Sequence, residues 1–210
     1  MKTSVLLIGG GGHALSLIDV LESTSQFKIK GVVEAIDSSS CELVGYVVIG
    51  FDNQLEPLLR KVPHCIIAVG QIMSAKVRKK LFMKAKETGA IFPQVISPLA
   101  RVASTAKIAD GVCVMHHAVL SHLTNIGENT IINNKALIEH ETIIGKHCHI
   151  STGAIVNGNV TIADECFIGS GAIISQGIYI CKNVVVGAGT VVIEDIDEAG
   201  TYVGNPARRI

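Results

Sequence analysis

Six of the eight histidines in this 210-residue chain fall between positions 116 and 149. Imidazole titrates near neutral pH, so it can act as general base, general acid or metal ligand. His140 stands between Glu139 and Glu141, and a neighbouring carboxylate can hold one ring tautomer and raise the basicity of the other nitrogen. That pattern points to His140 as a general base with a flanking glutamate, Glu139 or Glu141, supporting it. A second signature lies near the start, where SVLLI is followed by GGGGHA. Gly9, Gly11 and Ala14 satisfy G-x-G-x-x-A, the spacing of a turn whose backbone N–H groups cradle a phosphate. His13 follows these glycines, where it either faces a phosphate or sugar or caps the helix. His117 and His122 have the spacing of two zinc ligands. No histidine occurs between residues 65 and 115.

The glycine turn needs a strand before it and a helix after it. SVLLI reads as a buried strand, and a helical stretch extends to about Glu22. A second strand, KIKGVVE, ends at Glu34, where a ribose acceptor is expected. HCIIAVG ends at Gly70 and precedes the Lys-rich helix SAKVRKKLFMKAKETG. Alternating strands and helices predict a small Rossmann-like parallel α/β domain over residues 1–97, with ligands outside the carboxyl ends of its strands. A full dinucleotide fold needs a second mononucleotide half, so a nucleotide half-site fits better than NAD. Pro93 and Pro98 flank the predicted hinge.

The histidine-rich segment is placed by a different periodicity. Every sixth residue from Val102 to Val192 is aliphatic, sixteen positions in unbroken register. A period of six matches the hexapeptide repeat of a parallel β-helix, in which three short strands make one triangular coil of 18 residues. The position two before each anchor holds only Ala, Val, Thr, Cys or Ile, side chains suited to a wall without room for bulk. Gly follows the anchor at 127, 145, 169 and 187, read here as a need for relaxed turn geometry. One coil separates His122 from His140, so the two should stack at an outer edge of the prism, two places after an anchor. His149 lies half a coil further round, on another face, and can meet His140 only across a subunit interface.

Composition fits both halves. The chain is 48% hydrophobic but 4% aromatic with no Trp, and a narrow prism accepts Ile and Val more readily than large rings. Eighteen basic and eighteen acidic residues leave no net charge, which argues against nucleic acid or an anionic membrane as partner. No apolar run approaches the roughly 18 residues of a membrane span. The apolar run at the start is too short for a secretory signal core, so a cytoplasmic protein is expected. Six irregularly spaced cysteines without CxxC predict mostly buried thiols rather than a zinc ribbon or a disulfide framework. Cys148 and Cys166 occupy the wall position of the repeat, which argues against an acyl-Cys route.

The segment IEHETIIGKHCHISTGAIVNGNVTI, the start LLIGGGGHA and the ending YVGNPARRI resemble the bacterial sugar acetyltransferases of the sialic acid O-acetyltransferase and UDP-bacillosamine N-acetyltransferase family. The likeness spans essentially the whole chain. It implies a left-handed parallel β-helix over residues 98–210 with a short C-terminal tail, acetyl-CoA as co-substrate without a metal, and a homotrimer with active sites between subunits. It also implies direct transfer to a nucleotide-linked amino sugar, with His140 as base and Glu141 strengthening it. By the same resemblance Gly11, Gly12, His13, Glu34, Ala35 and Gly70 bind the sugar nucleotide. His149 meets acetyl-CoA near its thioester, and Ser170, Ala188 and Gly189 line the coenzyme channel. Two departures concern the acceptor: the family usually has two aspartates where this chain has Glu34 and Ala35, and a short Asn-containing turn where it has QIMSAKVR. O-acetylation of a sialic-acid-like sugar is the alternative chemistry. A zinc carbonic-anhydrase-like protein, a dehydrogenase or a non-catalytic scaffold are the other readings.

Overall fold

A computed structural model describes residues 2–210. The apolar run at the start forms β1 (Thr3–Ile8), and the glycines lead into α1 (Gly12–Ser23). Strand β2 (Phe27–Glu34) lies parallel to β1 on one side, and β5 (Cys65–Ile67) lies parallel to it on the other. Between β2 and β5 the chain adds β3 (Glu42–Leu43), β4 (Tyr46–Phe51) and α2 (Leu55–Lys61). The five-stranded order is β3-β4-β2-β1-β5, with only the short edge strand β3 antiparallel. β3, β4 and α2 were not anticipated, because their sequence carries no clean period. Helix α3 (Lys76–Glu87) is the predicted Lys-rich helix, and it buries Arg78, Phe82 and Ala85 on one stripe.

From Val95–Ile96 to Val191–Val192, short strands, nearly all of two residues, recur along the hexads and stack in parallel in three sheets of eight, six and five strands, the largest ending in Gly200–Val203 and the antiparallel Arg208–Arg209. Each strand pairs with the one eighteen residues on, as Ile132 with Ile150 and Ile150 with Ile168. This is the parallel β-helix that the period predicts, with the left hand that the family resemblance implies. From Leu120 to Val192 the anchors are essentially inaccessible and form one continuous core with the wall positions, Cys148 and Cys166 among them. The eight-stranded face carries the α/β domain.

The corner geometry differs from expectation in one respect. Residues with left-handed φ recur three places after each anchor from Ile108 to Val186, among them His117, Asn129, Glu141, His147 and Asn159, whereas the glycines directly after anchors do not adopt it. A Cβ on Gly127 would lie 2.5 Å from the carbonyl carbon of Gly145. These glycines therefore admit the backbone of the next coil; they do not make the turn. Glu141 holds its left-handed corner at φ 59°, a conformation uncommon outside glycine.

Candidate active site

Two neighbouring cavities meet at the carboxyl ends of β1 and β5. The first, about 380 Å³, is bounded by the glycine turn (Gly9, Gly10 and Gly11), the end of β2 (Glu34 and Ala35), Asp52 and the α3 residues Lys80 and Lys84. Gly11 is the N-cap residue of α1 and offers no side chain, so the first helical N–H groups remain for an anion. The Glu34 carboxylate folds against Gly10, where a Cβ would displace it. Lys84 donates from Nζ to the Asp52 carbonyl at 2.6 Å. Asp52, Lys80 and Lys84 were missed in the sequence: they come from separate elements and share no motif.

The second cavity, about 580 Å³, shares Val69 and Val77 with the first and brings Gly12, His13, Gly70, Gln71, Asn133 and His149 together. His13 lies in the first turn of α1 with no side-chain capping bond, so it does not cap the helix. Its ring lies 6.4 Å from that of His149, and its Nε2 is enclosed without a partner. His149 is fixed from both sides. Asn133 Oδ1 accepts the Asn134 N–H, so its amide NH₂ donates to His149 Nε2 at 3.1 Å. The proton must then sit on Nδ1, which donates to the Gln71 carbonyl at 2.6 Å. Thus His149 belongs with the glycine-turn residues, and neither of its nitrogens has a free N–H to offer an oxyanion.

Burial is the main cause that pulls His149 down to about 4, with the Arg78 guanidinium adding to it against the Gln71 hydrogen bond. Burial, then Arg78 and His149, pull His13 down to about 3. Both imidazoles are neutral at pH 7. Because the unfolded chain takes up these protons near pH 6.5 and the folded chain does not, this part of the stability is complete above about 6.5 and is lost as pH falls toward 4. For His149, which is 7% exposed, the loss amounts to about 3 kcal/mol. Melting temperature should therefore fall steeply between pH 6.5 and 4, and His149→Gln should flatten that limb. An unchanged slope in the variant would remove His149 as the cause.

The remaining predicted residues lie on the prism. His140 stands at the corner between the six- and five-stranded sheets, exposed, with Nδ1 3.0 Å from Glu141 Oε2. A carboxylate only accepts, so Nδ1 carries the proton and Nε2 keeps its lone pair. Ser170, Ala188 and Gly189 are exposed at the opposite edge of the six-stranded face, one coil apart, with Ser170 Oγ 2.9 Å from Ser151 Oγ. Between these edges run the outward side chains Val119, Leu137, Ile155, Ile173 and Val191. Within one chain, then, His140 is brought together with Glu141 but not with His149 or with the Ser170 edge.

Among the described residues, no group of three or more His, Cys, Asp or Glu side chains is arranged to hold a metal. His122 instead bonds to Thr105, and His116 bridges Ser97 and Asp19. Nor is any helix there long and apolar enough to cross a membrane.

Comparison with known proteins bears on this geometry. A family profile described as the PglD N-terminal domain matches residues 4–85, and one described as a hexapeptide repeat of succinyl-transferase matches residues 159–194. A mutant of perosamine N-acetyltransferase from Caulobacter crescentus, in complex with CoA and GDP-perosamine, superposes with a TM-score of 0.92 at 30% identity, covering 99% of this chain and 96% of that one. The chain belongs to the PglD-like family of sugar acetyltransferases. The acetyltransferase domain of PglB from Neisseria gonorrhoeae FA1090 is similar at TM-score 0.92 and 30% identity, with both chains covered completely. WeeI from Acinetobacter baumannii AYE is similar at TM-score 0.83 and 25% identity over 99% of this chain and 100% of that one. No curated protein sequence matches the chain. Membership of this acetyltransferase family sets aside the scaffold and dehydrogenase readings.

Proposed function

We propose that the protein transfers the acetyl group of acetyl-CoA to the amino group of a nucleotide-linked amino sugar. The observation that carries this reading is the full-length likeness to an N-acetyltransferase holding CoA and GDP-perosamine. The two joined cavities agree with it. The first offers helix N–H groups and two lysines to a diphosphate and Glu34 to a ribose, and the second offers Gly12, His13 and Gly70 to the sugar.

His140 is assigned as general base. Its Nε2 takes a proton from the attacking amine as nitrogen adds to the thioester carbon; the C–S bond then breaks, and the coenzyme leaves as thiolate and is protonated. A backbone N–H serves the developing oxyanion better than His149, whose ring nitrogens are both engaged. No covalent enzyme intermediate is needed, and burial pushes the Cys148 thiol far from the reactive range.

Ser170, Ala188 and Gly189 are assigned to the coenzyme, across the six-stranded face from His140. The aliphatic stripe between them suits contact with a second copy, and a homotrimer would complete each site from two chains.

The test is a panel of GDP-, UDP- and dTDP-linked 4-amino sugars and free sialic acid, each with acetyl-CoA. Thiol release is followed, and the product linkage is read by its stability to hydroxylamine. A hydroxylamine-stable amide on one nucleotide sugar is expected. A labile ester on sialic acid would replace this reading with O-acetylation.

A further inference from the structure

Gly158 stands one coil beyond His140, in the column that runs through His122, His140, Gly158 and Gln176. Three of these four residues carry side chains, so the corner itself does not demand glycine. Nor does the backbone: φ at Gly158 lies outside the left-handed region, and the corner's left-handed residue is the next one, Asn159, at φ 56°. At such a position Gly→Ala ordinarily stabilises a protein by narrowing the unfolded ensemble. What excludes a side chain is the imidazole. A Cβ on Gly158 would sit 2.6 Å from Cε1 and 2.7 Å from Nε2 of His140, and 3.2 Å from its Nδ1.

We infer that Gly158 is a positioning residue for the catalytic base: its bare α-carbon is the floor on which the His140 ring lies. The inference rests on the reading of His140 as base. The ring is exposed and attached through a freely rotating side chain, so an added methyl would displace the ring rather than the coil. Displacement would break the 3.0 Å bond from Nδ1 to Glu141 and carry Nε2 away from the acceptor amine. The consequence is confined to the chemical step, because Gly158 lines neither of the two cavities that hold the glycine-turn residues.

The experiment compares the intact enzyme with Gly158→Ala, His140→Ala and the double variant, measuring kcat, KM for both substrates and melting temperature. Gly158→Ala should lower kcat by roughly 100-fold, the scale of an ångström misplacement, with KM and melting temperature essentially unchanged. In the His140→Ala background the same substitution should cost nothing further, since the group through which it acts is gone. Turnover of Gly158→Ala within about twofold of the parent, while His140→Ala is inactive, would overturn this inference and leave the base assignment standing. An equal loss in both backgrounds would also overturn it, because Gly158 would then act without His140. Near-normal turnover of His140→Ala would overturn the base assignment and this inference together.

Discussion

Replacing His140 with Ala should lower kcat for acetyl transfer by roughly 10²- to 10⁴-fold, the usual worth of a positioned general base. Melting temperature should barely move. The imidazole is exposed at a prism corner and its one hydrogen-bonded partner, Glu141, is exposed as well. Truncation therefore opens no cavity and orphans no buried group, and such surface changes ordinarily stay within about 0.5 kcal/mol. KM for acetyl-CoA and for the amino sugar should also hold, since proton removal belongs to the transition state. The combination is diagnostic: a large fall in kcat with unchanged melting and KM marks a chemical role. Near-normal turnover would mean that the amine arrives already deprotonated or that another group takes its proton.

The legibility of this site in the sequence follows from how local each determinant is. The prism was readable because its core is one residue type repeated at one period, and each anchor packs on anchors exactly one coil away in sequence. The pairing of His140 with Glu141 was readable for the same reason, being a contact between neighbours. His149 was readable as to face but not as to surroundings. Its partner Gln71 lies 78 residues earlier, and nothing in the HIS segment reports a carbonyl delivered from another domain. Asp52, Lys80 and Lys84 share a cavity only because β4 and α3 converge on the glycine turn. The corner conformation three places after each anchor was hidden because Asn, Glu, His, Lys and Gly all fill it, so composition did not mark the column.

Arg78 was the largest omission, and it carries the strongest prediction for stability. The run KVRKKLFMKAK reads as a solvated basic face, yet Arg78 is 1% exposed and shares a stripe with Phe82 and Ala85 at spacings of four and three. That stripe was the available signal. Among the described residues no carboxylate pairs with its guanidinium. Nε donates to the Asn129 carbonyl at 3.0 Å, and one terminal nitrogen donates to the carbonyls of Ile67 at 2.6 Å and Val69 at 2.8 Å. One side chain thus ties α3, the end of β5 and a prism corner together, directly beneath Gly70 and Gln71. Arg78→Ala removes the donor from three carbonyls, each worth about 1–3 kcal/mol when buried and unpaired, and leaves a cavity. Releasing the guanidinium from burial offsets part of that loss. A net destabilisation of about 3 kcal/mol or more is expected, which lowers the melting temperature by roughly 6–12 °C for a chain of this size. Arg78→Lys should recover little, because an ammonium at shorter reach does not reproduce the fork that meets carbonyls on both sides. A second readout separates charge from packing. Arg78 helps to hold His13 and His149 below their ordinary range, so Arg78→Met should shrink the acid-side loss of stability, its onset near pH 6.5 unchanged and its lower end raised, whereas Arg78→Lys should leave that loss near its original size. If Arg78→Ala melts within about 2 °C of the parent, the carbonyls have found other donors and the clamp assignment fails.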